Sequence, residues 1–239
     1  MSELALRREW QRETNLTTVD ATRLLGAPCP RTPLEAYEHS VQSGHFTADQ
    51  SQRTVINFLE RLHGQLKDYA PMPRRTAHTQ GLLSKLWSWP GSSKEDPYPA
   101  DTPLGLYIYG GVGTGKTTVM DLFYHTLDTP RKHRSHFHTF MLNIHSRIQQ
   151  LRQQVSQSYD PIPKVAQDLA SEAHVLCFDE FQVTDIADAM ILRNLVSEMF
   201  KNGMVIVATS NRHPDELYQN GIQRDSFIPC IKLLKERCQ

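Results

Sequence analysis

Gly110-Gly111-Val112-Gly113-Thr114-Gly115-Lys116-Thr117 sets four residues between Gly110 and Gly115 and follows the second of these glycines with a lysine and a threonine. Glycines at this spacing let backbone N–H groups converge on anionic oxygens. The lysine brings a positive charge to β and γ phosphates, and the threonine hydroxyl offers Mg²⁺ a hard oxygen. Gly110, Gly111, Val112, Gly113, Thr114, Gly115, Lys116, Thr117 and Thr118 are therefore the predicted nucleotide contacts. The apolar run "LGLYIYG" precedes the loop and "KTTVMDLFYHTL" follows it. Strand, loop and helix in that order point the helix N-terminus, with its partial positive charge, at the phosphates.

A second constellation ends the run "VLCFDE", 63 residues beyond the loop lysine. Adjacent carboxylates at the tip of a buried strand repel each other unless a cation lies nearby. Asp179 is placed to hold Mg²⁺ together with Thr117, and Glu180 to deprotonate a water that attacks the γ-phosphate. A third strand-like run, "VIVATSN", ends on Asn211, which is suited to hydrogen-bond the γ-phosphate or that water. Arg212 and Arg224 follow. Either can be a solvated surface charge, or can be presented to a neighbouring subunit to neutralise the leaving phosphate. His133, His136, His138 and His145 crowd one segment. On a strand His136 and His138 would share a face and could pair on a metal; with no cysteine or acid at ligand spacing, a structural or interface role is preferred.

These residues need a scaffold that brings strand ends together. Residues 1–32 have weak periodicity and read as a mobile lead-in, and residues 33–89 as a helical N-terminal extension. Within the extension, "TPLEAYEHSVQSG" is a short helix closed by Gly44, and Thr47 with Gln50 offers a capping box for the next one. Val55, Phe58, Leu59, Leu62, Leu66 and Tyr69 recur at three- and four-residue steps, an apolar stripe expected to pack on the nucleotide domain. Residues 90–103 read as a loop, and 104–239 as the core. In the core the predicted strands are "LGLYIYG", "SHFHTFML", "HVLCFDE" and "MVIVATSN", with helices between them. Alternation of this kind specifies an α/β fold with a mostly parallel sheet, helices on both faces and ligands at the carboxyl ends of the strands.

Composition narrows the partners. Lys plus Arg (26) equal Asp plus Glu (26), so no global field draws the chain to nucleic acid, which is not an expected partner. The four cysteines show no CxxC spacing, against a zinc ribbon or disulfide framework. No apolar run approaches the ~18 residues of a spanning helix, so membrane contact is expected to be peripheral. Acids interleave with Arg7, Arg8 and Arg12, against a transit peptide.

The segments "LYIYGGVGTGKTTVMDLFY", "HFHTFML", "LCFDEFQVTDIADAMIL", "VATSNRHPDELYQNGIQRDSFIPCI" and "PLEAYEHSVQSG" resemble the AFG1-like ATPases, from about Pro33 to the end. The resemblance implies a P-loop NTPase of AAA type using ATP and Mg²⁺, assembled as a ring-type homo-oligomer in which an arginine completes the neighbour's site. By position in "GIQR" that arginine is Arg224. It further implies protein substrates, a role in protein quality control or remodelling of membrane-associated complexes, and peripheral association with the mitochondrial inner membrane. Mitochondrial localisation follows from the family alone, the cytoplasm being the alternative. The family's fifth strand, beside the strand that feeds the loop, and its helical lid are not found before Gln239. The expectation is a C-terminally shortened form whose first strand is a bare sheet edge. Two other readings stay open: a non-hydrolysing nucleotide- or partner-binding module, and a DNA-helicase loader with salt-sensitive DNA binding.

Overall fold

The computed structural model describes residues 30–71, 97–154 and 159–239. Most of the predicted lead-in, the run "GLLSKLWSW" and much of the loop before the core lie outside the described residues. In chain order the elements are α1 (Pro33–Gln42), α2 (Gln50–Leu66), β1 (Leu106–Tyr109), α3 (Lys116–Thr126), β2 (Lys132–His136), α4 (Phe137–Gln154), α5 (Ile162–Glu172), β3 (Val175–Asp179), α6 (Ile186–Lys201), β4 (Val205–Ser210) and α7 (Arg224–Arg237). The strands form one sheet in the order β1-β4-β3-β2, and every pairing is parallel.

Alternation along the strands divides the core in two. Leu106 and Ile108, Val175 and Cys177, and Val205 and Val207 face a layer built by α1, α2 and α3. Tyr107, Leu176 and Phe178, and Ile206 and Ala208 face α4, α5, α6 and α7. A strand buried on both faces has no polar side, which is why these runs read as continuously apolar. Each buried Val, Leu, Ile or Phe contributes roughly 1.5–3 kcal/mol. The α2 stripe packs on the sheet as its periodicity implied. Leu59, Leu62 and Leu66 are buried together with Ile56, and Val55, Phe58 and Tyr69 pack around them.

Local chemistry sets the helix ends. The Thr32 side chain accepts from the Glu35 N–H at the start of α1, Pro33 stands in its first turn, and Gly44 follows the helix at φ +76°. The α2 cap is Asp49, which accepts from the Gln52 N–H, and not the expected Thr47. A carboxylate three residues before the recipient N–H outcompetes a hydroxyl placed two residues too early. Asp185 caps α6 through the N–H groups of Ala187 and Asp188.

Two expectations require correction. The run "SHFHTFML" is not a strand: β2 is the preceding "KHRSH", and the chain passes directly into α4. Phe137, Phe140, Met141, Ile144 and Ile148 are buried at three- and four-residue steps, so the apolar signal belonged to a helix. His136 and His138 therefore do not share a strand face. Nor is β1 wholly bare. The Gly105 N–H donates to the Arg237 carbonyl (2.8 Å), the Gln239 N–H donates to the Gly105 carbonyl (3.0 Å), and the Tyr107 N–H donates to the Gln239 carbonyl (2.9 Å). Residues 237–239 thus run alongside the start of β1, with Gly105 and Cys238 as parallel bridge partners.

Two buried histidines give the fold a pH dependence. His174 is 4% exposed, its ring meets Tyr69 edge-on at 6.0 Å, and neither ring nitrogen has a hydrogen-bond partner among the described residues. Burial pushes its pKa down to about 4, with Arg131 adding to the effect. Burial, with Arg147 behind it, pushes His133 down to about 3. Both rings are neutral when folded, whereas in the unfolded chain they take up protons near pH 6.5. Below that pH the unfolded state binds more protons, so stability is lost as pH falls toward 4, by up to about 1.4 kcal/mol per unit for each histidine. Thermal melts at pH 7.5, 6 and 5 should show a falling midpoint, with a shallower fall in His174→Phe. A flat profile would exclude the assignment.

Candidate active site

The loop between β1 and α3 wraps a cleft of about 360 Å³ that reaches the tips of β3 and β4. Val112, Gly113, Gly115, Lys116, Thr117 and Thr118 line it from the loop side. Gly110, Gly111 and Thr114, in the same loop, are not among the residues that line the cleft. The Lys116 ammonium donates to the carbonyls of Gly110 (2.9 Å) and Gly111 (2.6 Å), which holds its stem along the loop. Gly115 holds a left-handed backbone conformation that favours glycine. Its φ is +79°, and a Cβ would stand 2.5 Å from the Gln52 side-chain nitrogen. That same Gln52 amide, on α2, donates to the Thr114 carbonyl at 3.0 Å. The N-terminal helices thus touch the phosphate loop directly.

Across the cleft stand Asp179, Glu180 and Asn211. The Thr117 hydroxyl donates to Asp179 Oδ1 (2.9 Å), and the Thr209 hydroxyl donates to the same oxygen (2.6 Å). Thr209 also accepts from the Glu180 N–H (3.1 Å), while its carbonyl accepts from the Phe181 N–H (2.7 Å). Glu180 lies at φ +56°, a left-handed conformation that a non-glycine residue adopts at a cost of about 1–3 kcal/mol. The strain is offset by these two hydrogen bonds and by Phe181, whose ring packs on Phe137 at 4.3 Å in the aromatic core. The kink leaves Asp179 buried against the loop threonine and Glu180 exposed in the cleft.

A guanidinium reaches the same carboxylate from β2. Arg134, 8% exposed, places Nη2 3.3 Å from Asp179 Oδ2 and Nε 2.5 Å from Asp121 Oδ1. Burial raises the pKa of Asp121, against the pull of Arg134. His136 Nδ1 lies 3.9 Å from Asp179 Oδ2. No group of three or more His, Cys, Asp or Glu able to hold a metal exists among the described residues. The donors at the cleft are instead one hydroxyl and one carboxylate, hard oxygens that suit Mg²⁺ completed by water and phosphate. The residues present fit that ion and a nucleoside triphosphate.

The structure brings Lys116, Thr117, Asp179, Glu180 and Asn211 into one cleft. Arg212 and Arg224 are not among the residues that line it. The Arg212 carbonyl accepts from the Tyr107 hydroxyl (3.2 Å), and Arg224, at the start of α7, donates to the Asp215 carbonyl (2.6 Å). Thr209, Arg134, Asp121 and Gln52 escaped the sequence reading. Only Thr209, two residues before Asn211 on a recognised strand, carried a local signal.

A parallel sheet with a phosphate loop after its first strand, and paired acids at the tip of β3 with β4 between the two, defines a P-loop NTPase of AAA type. The chain belongs to the AFG1-like ATPase family, whose profile matches residues 31–239. It is 44% identical over 237 residues to lactation elevated protein 1 homolog B of Danio rerio, covering 85% of this chain and 46% of that protein. It is 41% identical over 207 residues to the cell division protein ZapE of Escherichia coli K12, covering 87% and 53%. The chain thus spans about half the length of these curated relatives. In fold it is similar to domain III of the Thermotoga maritima replication initiation protein DnaA, with TM-score 0.51, 14% identity, and coverage of 82% of this chain and 63% of that one.

Proposed function

We propose that this chain binds ATP with Mg²⁺ and hydrolyses it by in-line attack of water. The observation that carries the reading is the convergence of Lys116, Thr117, Asp179 and Glu180 on a single cleft. The loop amides and Lys116 bind the β and γ phosphates, and Glu180 accepts the proton of the attacking water, which Asn211 orients. Thr117 and Asp179 hold Mg²⁺, whose charge when bound neutralises the phosphate oxygens. Arg224, outside its own cleft, serves a neighbouring subunit of a ring-type homo-oligomer. Family membership supports protein substrates, with remodelling of membrane-associated complexes or protein quality control as the outcome of turnover. It also supports peripheral association with the mitochondrial inner membrane. The balance of 26 basic and 26 acidic residues supports protein rather than nucleic acid as partner.

The test is ATP turnover by the purified chain in Mg²⁺ and in EDTA, with binding of a fluorescent ATP analogue measured in parallel. Turnover in Mg²⁺ that falls to background in EDTA is expected. A chain that binds no ATP analogue in Mg²⁺ would overturn the reading.

A further inference from the structure

Resting on that reading, the geometry points to Arg134 as a positioning residue for the metal-holding carboxylate: anchored by Asp121, its buried guanidinium fixes the orientation of Asp179. The two Asp179 oxygens have separate donors. Oδ1 receives the hydroxyls of Thr117 and Thr209, and Oδ2 receives Arg134. A carboxylate held at both oxygens cannot rotate. The three groups around it come from α3, β2 and β4, so the carboxylate is referenced to three elements at once.

Asp121 makes the arrangement work. It lies four residues after Thr117 on α3 and so on the same helix face, directed at the same strand tips. The helix that presents the Thr117 hydroxyl to the metal site thereby also presents the carboxylate that grips Arg134. A shift of α3 moves both together, and the link from loop to Asp179 is kept. Charge points the same way. Asp121 and Asp179 carry two negative charges, and Arg134 between them leaves the group one charge short of neutral, favourable for a divalent cation at the cleft. Without the guanidinium two neighbouring carboxylates would repel, and a cation would be drawn between them, away from the phosphates. The other titratable neighbour of Asp179 Oδ2, His136, is 3.9 Å away and more than half exposed, too far for a hydrogen bond that would replace Arg134.

Groups that orient a metal ligand commonly change metal affinity by 10- to 100-fold when removed. In Arg134→Met, the Mg²⁺ concentration that half-saturates Mg²⁺-dependent binding of a fluorescent ATP analogue should rise by about 10-fold or more. Binding of the analogue in EDTA, which does not use Asp179, should stay at the wild-type level. Asp121→Asn, which keeps Arg134 but releases its anchor, should raise the same midpoint by about threefold. The double variant should be no worse than Arg134→Met alone, because Asp121 acts only through Arg134. Should Arg134→Met fail to fold, Asp121→Asn and Arg134→Lys decide the matter. Lysine cannot bridge both carboxylates and should also raise the midpoint. An unchanged Mg²⁺ midpoint in the folded variants would overturn the inference. So would equal losses with and without Mg²⁺, the mark of a purely structural role. A wild-type chain without Mg²⁺-dependent binding would overturn the functional reading itself, a result distinguishable from either.

Discussion

Glu180→Gln is expected to lower ATP turnover by about two to four orders of magnitude while leaving nucleotide affinity within about threefold of wild type. Glutamine has the size and shape of glutamate and keeps one acceptor oxygen, but it cannot take a proton from water. The backbone should tolerate the exchange. The left-handed φ of +56° at this position is held by the Glu180 N–H to Thr209 and the Phe181 N–H to the Thr209 carbonyl, neither of which involves the side chain. In the proposed reading affinity rests elsewhere in the cleft, on the loop amides, Lys116 and the Thr117–Asp179 pair, so binding and turnover should separate. Single-turnover hydrolysis measured beside equilibrium binding of an ATP analogue checks this. Unchanged turnover would remove Glu180 from the role of base, and a parallel loss of binding would show that its contribution is to the ground state.

The second large effect concerns stability. Gly105, immediately before β1, is sandwiched between β4 and the end of the chain. A Cβ there would stand 2.0 Å from the Ile206 carbonyl oxygen and 3.2 Å from the Cys238 sulfur. The first neighbour is backbone in the middle of the sheet and cannot turn aside. Gly105 also makes hydrogen bonds to Arg237 and Gln239 on the other edge, so moving away from β4 disrupts those. Gly105→Ala is therefore expected to cost about 3 kcal/mol, the upper part of the ordinary overpacking range. For a chain of this size that corresponds to a fall in Tm of roughly 6–12 °C. Because β1 feeds the phosphate loop, the same substitution should weaken nucleotide binding. A thermal melt with and without Mg²⁺-ATP checks both, and a wild-type midpoint would show that β1 and β4 separate more easily than their packing implies.

The nucleotide side of the cleft was legible because its signals are local. Glycine spacing, a lysine and threonine at a helix start, and apolar runs ending in Asp179-Glu180 and Asn211 each fit within a few residues, and the alternation of strands and helices predicted the parallel sheet. The failure at β2 has a physical cause as well. "KHRSH" has the composition of an exposed segment, yet His133, Arg134 and Ser135 are buried because β3 and the helices cover them. The apolar residues that drew attention lie one step further on, at helical period. Arg134 is tolerated in β2 because it meets Asp121 and Asp179, and those partners are 13 and 45 residues away.

By itself the sequence pointed to the loop and strand-tip residues that line the cleft and to the strands buried on both faces, since each depends on the chemistry of a short stretch. Only the tertiary structure decided how those residues are held. Parallel register sets His136 opposite Asp179 and so brings Arg134, two residues earlier, to the same carboxylate. Helix packing lays Gln52 on Thr114 across 62 residues of chain, and the Thr209 hydroxyl locks both acids at once. Such contacts join segments that have no reason to meet until the sheet is assembled, and no spacing along the chain encodes them.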